Sequence, residues 1–280
     1  MRNRAEETFL TAKETKTTPS KKPLGRGLVA LAPMKDVAFP TRPTPLGVGI
    51  GSGKGGTGKT VISVNLSVEL ASRGKGLVYM DADLGLANGH LLLGIEPLTD
   101  LRELVGRGKK VTFCMEDGPC GLGVMAGASG VARLADLQRA ELRRMAERMD
   151  GHLADTEILI LDSAAGVSWQ TLLLLHATNY VVLVTTPRLP AITDAYAVAK
   201  ALFTRDPGRP MGVVLNRVRS PAEGEDAYER LTGVTSLFLG ERPRLLGMVH
   251  ENPRIRNSVD EGAPFVLGDP EGRAARRPNP

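Results

Sequence analysis

One stretch limits this chain more than any other: Gly51-Ser52-Gly53-Lys54-Gly55-Gly56-Thr57-Gly58-Lys59-Thr60, together with its flanks. From Gly53 to Thr60 it spells G-x-x-x-x-G-K-[ST], a phosphate loop. The apolar run Leu46–Ile50 before it reads as a buried strand. After it, Val61, Val64, Val68 and Ala71, with Ile62, Leu66 and Leu70 beside them, recur at helical spacing. Glycines tolerate the positive φ angles that let successive N–H groups wrap a phosphate. The expected nucleotide contacts are therefore Gly53, Lys54, Gly55, Gly56, Thr57, Gly58, Lys59, Thr60 and Val61. Lys59 would reach the β- and γ-phosphates, and the Thr60 hydroxyl would ligate Mg²⁺. A strand and a helix on either side argue against a mere flexible linker, and they aim a positive helix end at the ligand.

The remaining chain alternates apolar strands with helical stretches. Strands are expected at Gly76–Met80, Gly121–Met125, Glu157–Leu161, Tyr180–Val184, Met211–Leu215 and Leu245–Val249, and a helix at Leu134–Met149. Near-continuous apolar strands spaced by helices imply a doubly wound, mostly parallel α/β sheet covered on both faces. Ligands of such sheets sit at the carboxyl ends of the strands. Asp81, Asp83, Asp162 and Asn216 all fall there. Asp162 follows four apolar residues, where an aspartate can hold Mg²⁺ beside a phosphate loop or, alternatively, cap the next helix.

Composition narrows the setting. The net charge is +5, but residues 1–45 carry nine basic and four acidic side chains, leaving 27 of each from totals of 36 and 31. The excess thus rides on a Thr-, Lys- and Pro-rich segment that cannot build a core and reads as a disordered arm. Residues 46–267 form the expected folded domain, and 268–280 a flexible tail. A neutral folded part does not favour non-specific DNA binding, although Arg139, Arg143, Arg144 and Arg148 on one helix could make a local patch interleaved with Glu141 and Glu147. Cys114 and Cys120 are too few for a metal centre on their own and fit free thiols in a reducing cytoplasm. No run reaches the ~18 apolar residues of a membrane span, and no secretion signal is evident.

Lys54 places a second lysine in the loop, K-G-G-T-G-K-T, which resembles the deviant phosphate loop of the MinD/ParA superfamily. That resemblance implies that Lys54 crosses a dimer interface to the partner subunit's nucleotide. The resemblance is strongest to FlhG/MinD-like proteins. It continues through Asp81-Ala82-Asp83-Leu84-Gly85-Leu86-Ala87-Asn88, Asp162-Ser163-Ala164-Ala165-Gly166-Val167 and the stretch Thr185-Thr186-Pro187 to Tyr196, covering residues 46–267. By it, Asp83 orients the attacking water, Asp81 supports the Mg²⁺ shell and Asn216 reads adenine. Catalysis would rest on Lys54, Lys59 and Asp83, and Mg²⁺ on Thr60, Asp81 and Asp162.

The chain also departs from that pattern. Gly89-His90 replaces the usual Leu-Asp, and Arg188 stands where a glutamate is usual. No D-Q-A-x-x-L-R type N-terminus is present, and Gly268–Pro280 has no apolar face for a membrane-targeting helix. Pro23–Leu31 resembles the L-G-R-G-L-x-A-L element of ParB partition proteins. The expected function is a cytoplasmic, ATP- and Mg²⁺-dependent dimerisation switch with slow, partner-stimulated hydrolysis, serving flagellar, polar or division-site positioning. Open alternatives are a ParA-type partition ATPase and a non-hydrolysing nucleotide-binding scaffold. A tyrosine kinase would need a tyrosine-rich tail, and an iron–sulfur carrier would need cysteines after Cys120; the sequence has neither.

Overall fold

The computed structural model describes residues 45–83, 85–101, 114–127, 141, 153 and 156–268, all within one compact unit spanning 39–280. Of the expected arm only Pro45, and of the expected helix at 134–149 only Glu141, are among them. The Pro23–Leu31 segment, Leu84, Arg139, Arg143, Arg144, Arg148 and everything past Gly268 lie outside the described residues.

In chain order the elements are β1 (Leu46–Gly51), α1 (Lys59–Ser72), β2 (Leu77–Ala82), α2 (Gly89–Leu92), β3 (Glu116–Asp117) and β4 (Gly123–Met125). There follow β5 (Ile158–Ser163), α3 (Trp169–His176), β6 (Tyr180–Thr185), α4 (Leu189–Phe203) and β7 (Met211–Val218). The chain closes with α5 (Pro221–Leu239), β8 (Arg244–His250), α6 (Pro253–Asp260) and α7 (Phe265–Gly268). Eight strands form one sheet in the order β3-β4-β2-β5-β1-β6-β7-β8. Every pairing is parallel except β3 with β4.

Alternation along the strands shows why both faces are covered. In β2, Val78, Met80 and Ala82 join one apolar cluster while Leu77 and Tyr79 join another. In β6, Val181 and Leu183 pack with Ile192, Ala195 and Leu202 of α4, whereas Val182 and Val184 share a cluster with Val64 and Val68 of α1. Successive side chains leave a strand on opposite faces, so a sheet with helices on each side needs apolar residues at both parities.

All the strands expected from sequence are present, and one more appears. β3 is a two-residue polar strand, Glu116–Asp117, antiparallel to β4. It is too short and too charged to leave a period-2 pattern. β4 begins at Gly123 rather than at the expected Gly121, because Cys120 and Gly121 take left-handed φ angles of 59° and 76° in the turn before it. Among the described residues no helix is long and apolar enough to cross a membrane.

The topology places the ligand-binding crevice. The chain runs from β1 outward to β4, then inserts β5 between β2 and β1 before crossing to β6 on the far side of β1. Strand order therefore reverses at β1, and a crevice opens at the carboxyl ends on that line.

Candidate functional site

The loop after β1 is shaped by close approach as much as by backbone freedom. Gly56 and Gly58 have φ of 77° and 88°, a region costly for residues with a Cβ. A Cβ at Gly58 would lie 2.1 Å from Asn216 Nδ2, and one at Gly53 would lie 2.1 Å from the Asp194 carbonyl carbon. β5 and the segment following it are tied to the loop: Gly166 N–H donates to Ser52 O at 2.8 Å, and Ser163 Oγ donates to Ile50 O at 3.0 Å. Helix α1 starts at Gly58 with no side-chain cap, whereas Ser168, Ser220 and Asn252 cap α3, α5 and α6. The first N–H groups of a helix have no acceptor within it, so an uncapped start beside left-handed glycines suits an anion. Thr57 Oγ1 is buried in the same loop with no hydrogen-bond partner among the described residues.

The charged residues meet because β5 lies between β1 and β2. Asp162 is in register with Asp81 on one side and with Ile50 on the other. Lys59 Nζ donates to Asp162 Oδ1 at 2.6 Å and to Thr60 Oγ1 at 3.3 Å, with the Lys59 side chain 8% exposed and the Asp162 side chain 0%. Tyr79 completes the group, its hydroxyl donating to Asp162 Oδ2 at 3.2 Å. Burial, then the charges of Asp162 and Asp81, push the Tyr79 phenol well up, so it remains a donor. Tyr79 was not singled out from sequence; a hydroxyl amid the aliphatic residues of β2 was the available signal.

Asp81 accepts three backbone N–H groups: Asp83 at 3.1 Å on Oδ1, and Asn88 at 3.0 Å and Gly89 at 2.8 Å on Oδ2. It therefore fastens the segment from Asp83 to Gly89 to the end of β2. Burial first, and the Asp162 charge second, push its carboxyl up to about 7 against those donors. Among the described residues no three His, Cys, Asp or Glu side chains gather as a metal cage. The donor set of Thr60, Asp162 and Asp81 fits a hard cation that arrives with phosphates and keeps part of its water shell.

Two expected site residues stand apart from this buried group. Asp83 is half-buried, and its Oδ1 accepts the Leu86 N–H at 3.2 Å in a local turn. Lys54 is exposed, and its side chain has no hydrogen bond or ion pair among the described residues. Asn216 lies within β7 and braces the loop, Nδ2 donating to Thr57 O at 2.8 Å and Oδ1 accepting the Arg217 N–H at 2.9 Å. It also borders a cavity of about 230 Å³ with Gly58, Val61, Arg217, Ile255 and Val259, room for a purine base. Arg217, at φ 57°, and the apolar pair on α6 were missed; Ile255 and Val259 sit four apart in a helix otherwise polar enough to hide them.

Residues 48–265 match the family described as CobQ/CobB/MinD/ParA nucleotide binding domain. The chain is 31% identical over 221 residues to the antiactivator FleN of Pseudomonas aeruginosa, covering 79% of each chain. It is 36% identical over 212 residues to the flagellum site-determining protein YlxH of Helicobacter pylori, covering 74% of this chain and 70% of the relative. The crystal structure of the cell division ATPase MinD of Pyrococcus furiosus superposes with a TM-score of 0.67 at 30% identity, over 82% of this chain and 93% of that one. A phosphate loop at the strand-order reversal, the aspartates on the neighbouring strand ends and these matches agree: the chain belongs to the CobQ/CobB/MinD/ParA nucleotide-binding family, with its P-loop fold.

Proposed function

We propose that this protein is an ATP-driven dimerisation switch that hydrolyses ATP slowly and serves a cellular positioning system, of the flagellar number or placement kind. The observation that carries the reading is the contrast between the two loop lysines. Lys59 is already seated at 2.6 Å on Asp162, while Lys54 has no partner among the described residues of its own subunit. On nucleotide binding, Lys59 would exchange Asp162 for the β- and γ-phosphates, which would leave the Asp162 carboxylate without its cation. Thr60, Asp162 and Asp81 would hold Mg²⁺, which supplies charge neutralisation along the phosphates. Asn216 and the cavity on α6 take the base. Asp83, leaving its local turn, orients the attacking water, and Lys54 neutralises phosphate charge on a second copy. Because only the triphosphate state is bridged in this way, hydrolysis favours separation. A further protein that stimulates hydrolysis would set the timing. The positioning role is supported by the relative named as flagellum site-determining and by the structural relative named as a cell division ATPase.

The test is sizing of wild type, Lys54→Ala and Asp83→Ala with ATP or ADP, alongside phosphate release. The reading expects an ATP-specific wild-type dimer, a trapped dimer for Asp83→Ala and a monomer for Lys54→Ala. If all three stay monomeric with ATP, the switch reading fails.

A further inference from the structure

Each oxygen of the Asp162 carboxylate has its own donor. Lys59 Nζ donates to Oδ1 at 2.6 Å from the phosphate loop, and the Tyr79 hydroxyl donates to Oδ2 at 3.2 Å from β2. Lys59 Nζ also reaches Thr60 Oγ1 at 3.3 Å, so Oδ1 and the Thr60 hydroxyl share one cation. Tyr79 is fully buried, which leaves its hydroxyl no water to turn to. That hydroxyl is packed on the backbone of Gly89, where a Cβ would lie 2.0 Å from the Tyr79 oxygen. The Gly89 N–H in turn donates to Asp81 Oδ2 at 2.8 Å. Packing alone does not call for the hydroxyl. Tyr79 lies in an apolar cluster with Ile50, Val64 and Val124, where a phenylalanine ring would fill the same space without a polar atom to satisfy.

We propose that Tyr79 is a positioning residue for Mg²⁺: its hydroxyl holds Oδ2 of Asp162, keeps Oδ1 turned towards Thr60, and so sets how tightly the nucleotide-bound protein takes up the cation. The inference rests on the reading that Asp162 and Thr60 hold the metal, and it deepens that reading. The χ2 torsion of an aspartate is soft, so a carboxylate needs a donor to fix its plane. Lys59 serves Oδ1 in the ligand-free protein. Once Lys59 turns to the phosphates, the Tyr79 hydroxyl is the donor that stays. Hydrogen-bonded partners of this kind orient the carboxylates that ligate metals. A neutral donor suits the place, because it orients Asp162 without offsetting the charge that attracts the cation.

The experiment compares wild type, Tyr79→Phe and Asp162→Asn. Affinity for a fluorescent, non-hydrolysable ATP analogue is measured from excess chelator to saturating Mg²⁺. Phosphate release is followed across the same Mg²⁺ range, and the ligand-free proteins are melted in urea. For Tyr79→Phe the Mg²⁺ needed for half-maximal phosphate release should rise about tenfold, and the gain in analogue affinity on adding Mg²⁺ should shrink. Its deficit in phosphate release should close at high Mg²⁺, which a merely structural defect would not do. Asp162→Asn should lose most of the Mg²⁺ response. If Tyr79→Phe titrates with Mg²⁺ like wild type, whatever its urea midpoint, the hydroxyl only satisfies a buried position and the inference is overturned while the metal reading stands. A deficit in Tyr79→Phe that no Mg²⁺ concentration repairs overturns it equally. If Asp162→Asn responds to Mg²⁺ as wild type does, the metal reading fails and the inference falls with it.

Discussion

The carboxyl-end rim of β1, β2 and β5 and the apolar slab around β6 and β7 are built from opposite materials. At the rim, Asp81, Asp162, Lys59 and Tyr79 are buried together, and the adjoining helix start is left uncapped. In the slab, Val181, Leu183, Val213 and Leu215 are fully buried against α4 and α5, and α5 begins on a Ser220 cap. Burying charge is unfavourable unless every group is paired, whereas burying apolar surface is favourable outright. The rim is therefore a region that the slab must hold in place.

The largest effect expected from this contrast is structural. Leu183→Ala should destabilise the protein by about 2–5 kcal/mol, as large-to-small changes in packed cores do. The surviving folded fraction should bind nucleotide with unchanged affinity. Denaturant melts paired with nucleotide titration check this, and a large affinity change would show that slab and rim are not separable.

Next in size is Lys59→Met, which should lower hydrolysis by about 100-fold or more, since the charge aimed at the reacting phosphates is lost. It also leaves Asp162 buried beside Asp81 without its cation, so the ligand-free protein should melt earlier than wild type. Phosphate release and thermal melts would decide. A Lys59→Met protein as active as wild type would remove the rim from the chemistry.

The smallest effects are pH effects, and they should have opposite signs in the two regions. The Asp81 carboxyl is raised from 3.8 to about 7, so the folded state holds its proton more tightly than the unfolded chain. Its contribution to stability is present at low pH and is lost as pH rises from about 4 towards 7. Relative to Asp81→Asn, wild type should lose ground in melting temperature between pH 5 and pH 8. His176, at the end of α3 beside the slab, is lowered from 6.5 to about 4 by burial first and then by the Arg209 and Arg205 charges. Its neutral form is favoured in the fold, so its contribution is lost as pH falls from about 6.5 towards 4. Relative to His176→Gln, wild type should lose ground between pH 7 and pH 5. Equal slopes in both comparisons would contradict the assignment.

How much was legible beforehand follows from the range of each signal. The loop, α1 and the long strands are written in contiguous residues, so Gly53–Thr60, Asp81 and Asp162 could be placed at strand ends directly. β3 was not legible, because two polar residues carry no period. Tyr79 was passed over because its role depends on Asp162, 83 residues further along the chain. Asn216 was singled out as the end of a strand, and the structure places it on β7 at the edge of a cavity. Its brace on Thr57 spans 159 residues, and no local pattern announces such a bond.

The sequence by itself determined the strand–loop–helix unit and the parallel α/β class, because periodicity and glycine conformations act over a few residues. The tertiary structure alone decided that β5 lies between β1 and β2, which brings Lys59 and Asp162 together from 103 residues apart. It also decided that Lys54 is left facing outward among other cations. Which strand neighbours which is settled by crossover connections and by burying both faces of the whole sheet, and that balance is not carried by any single stretch of the chain.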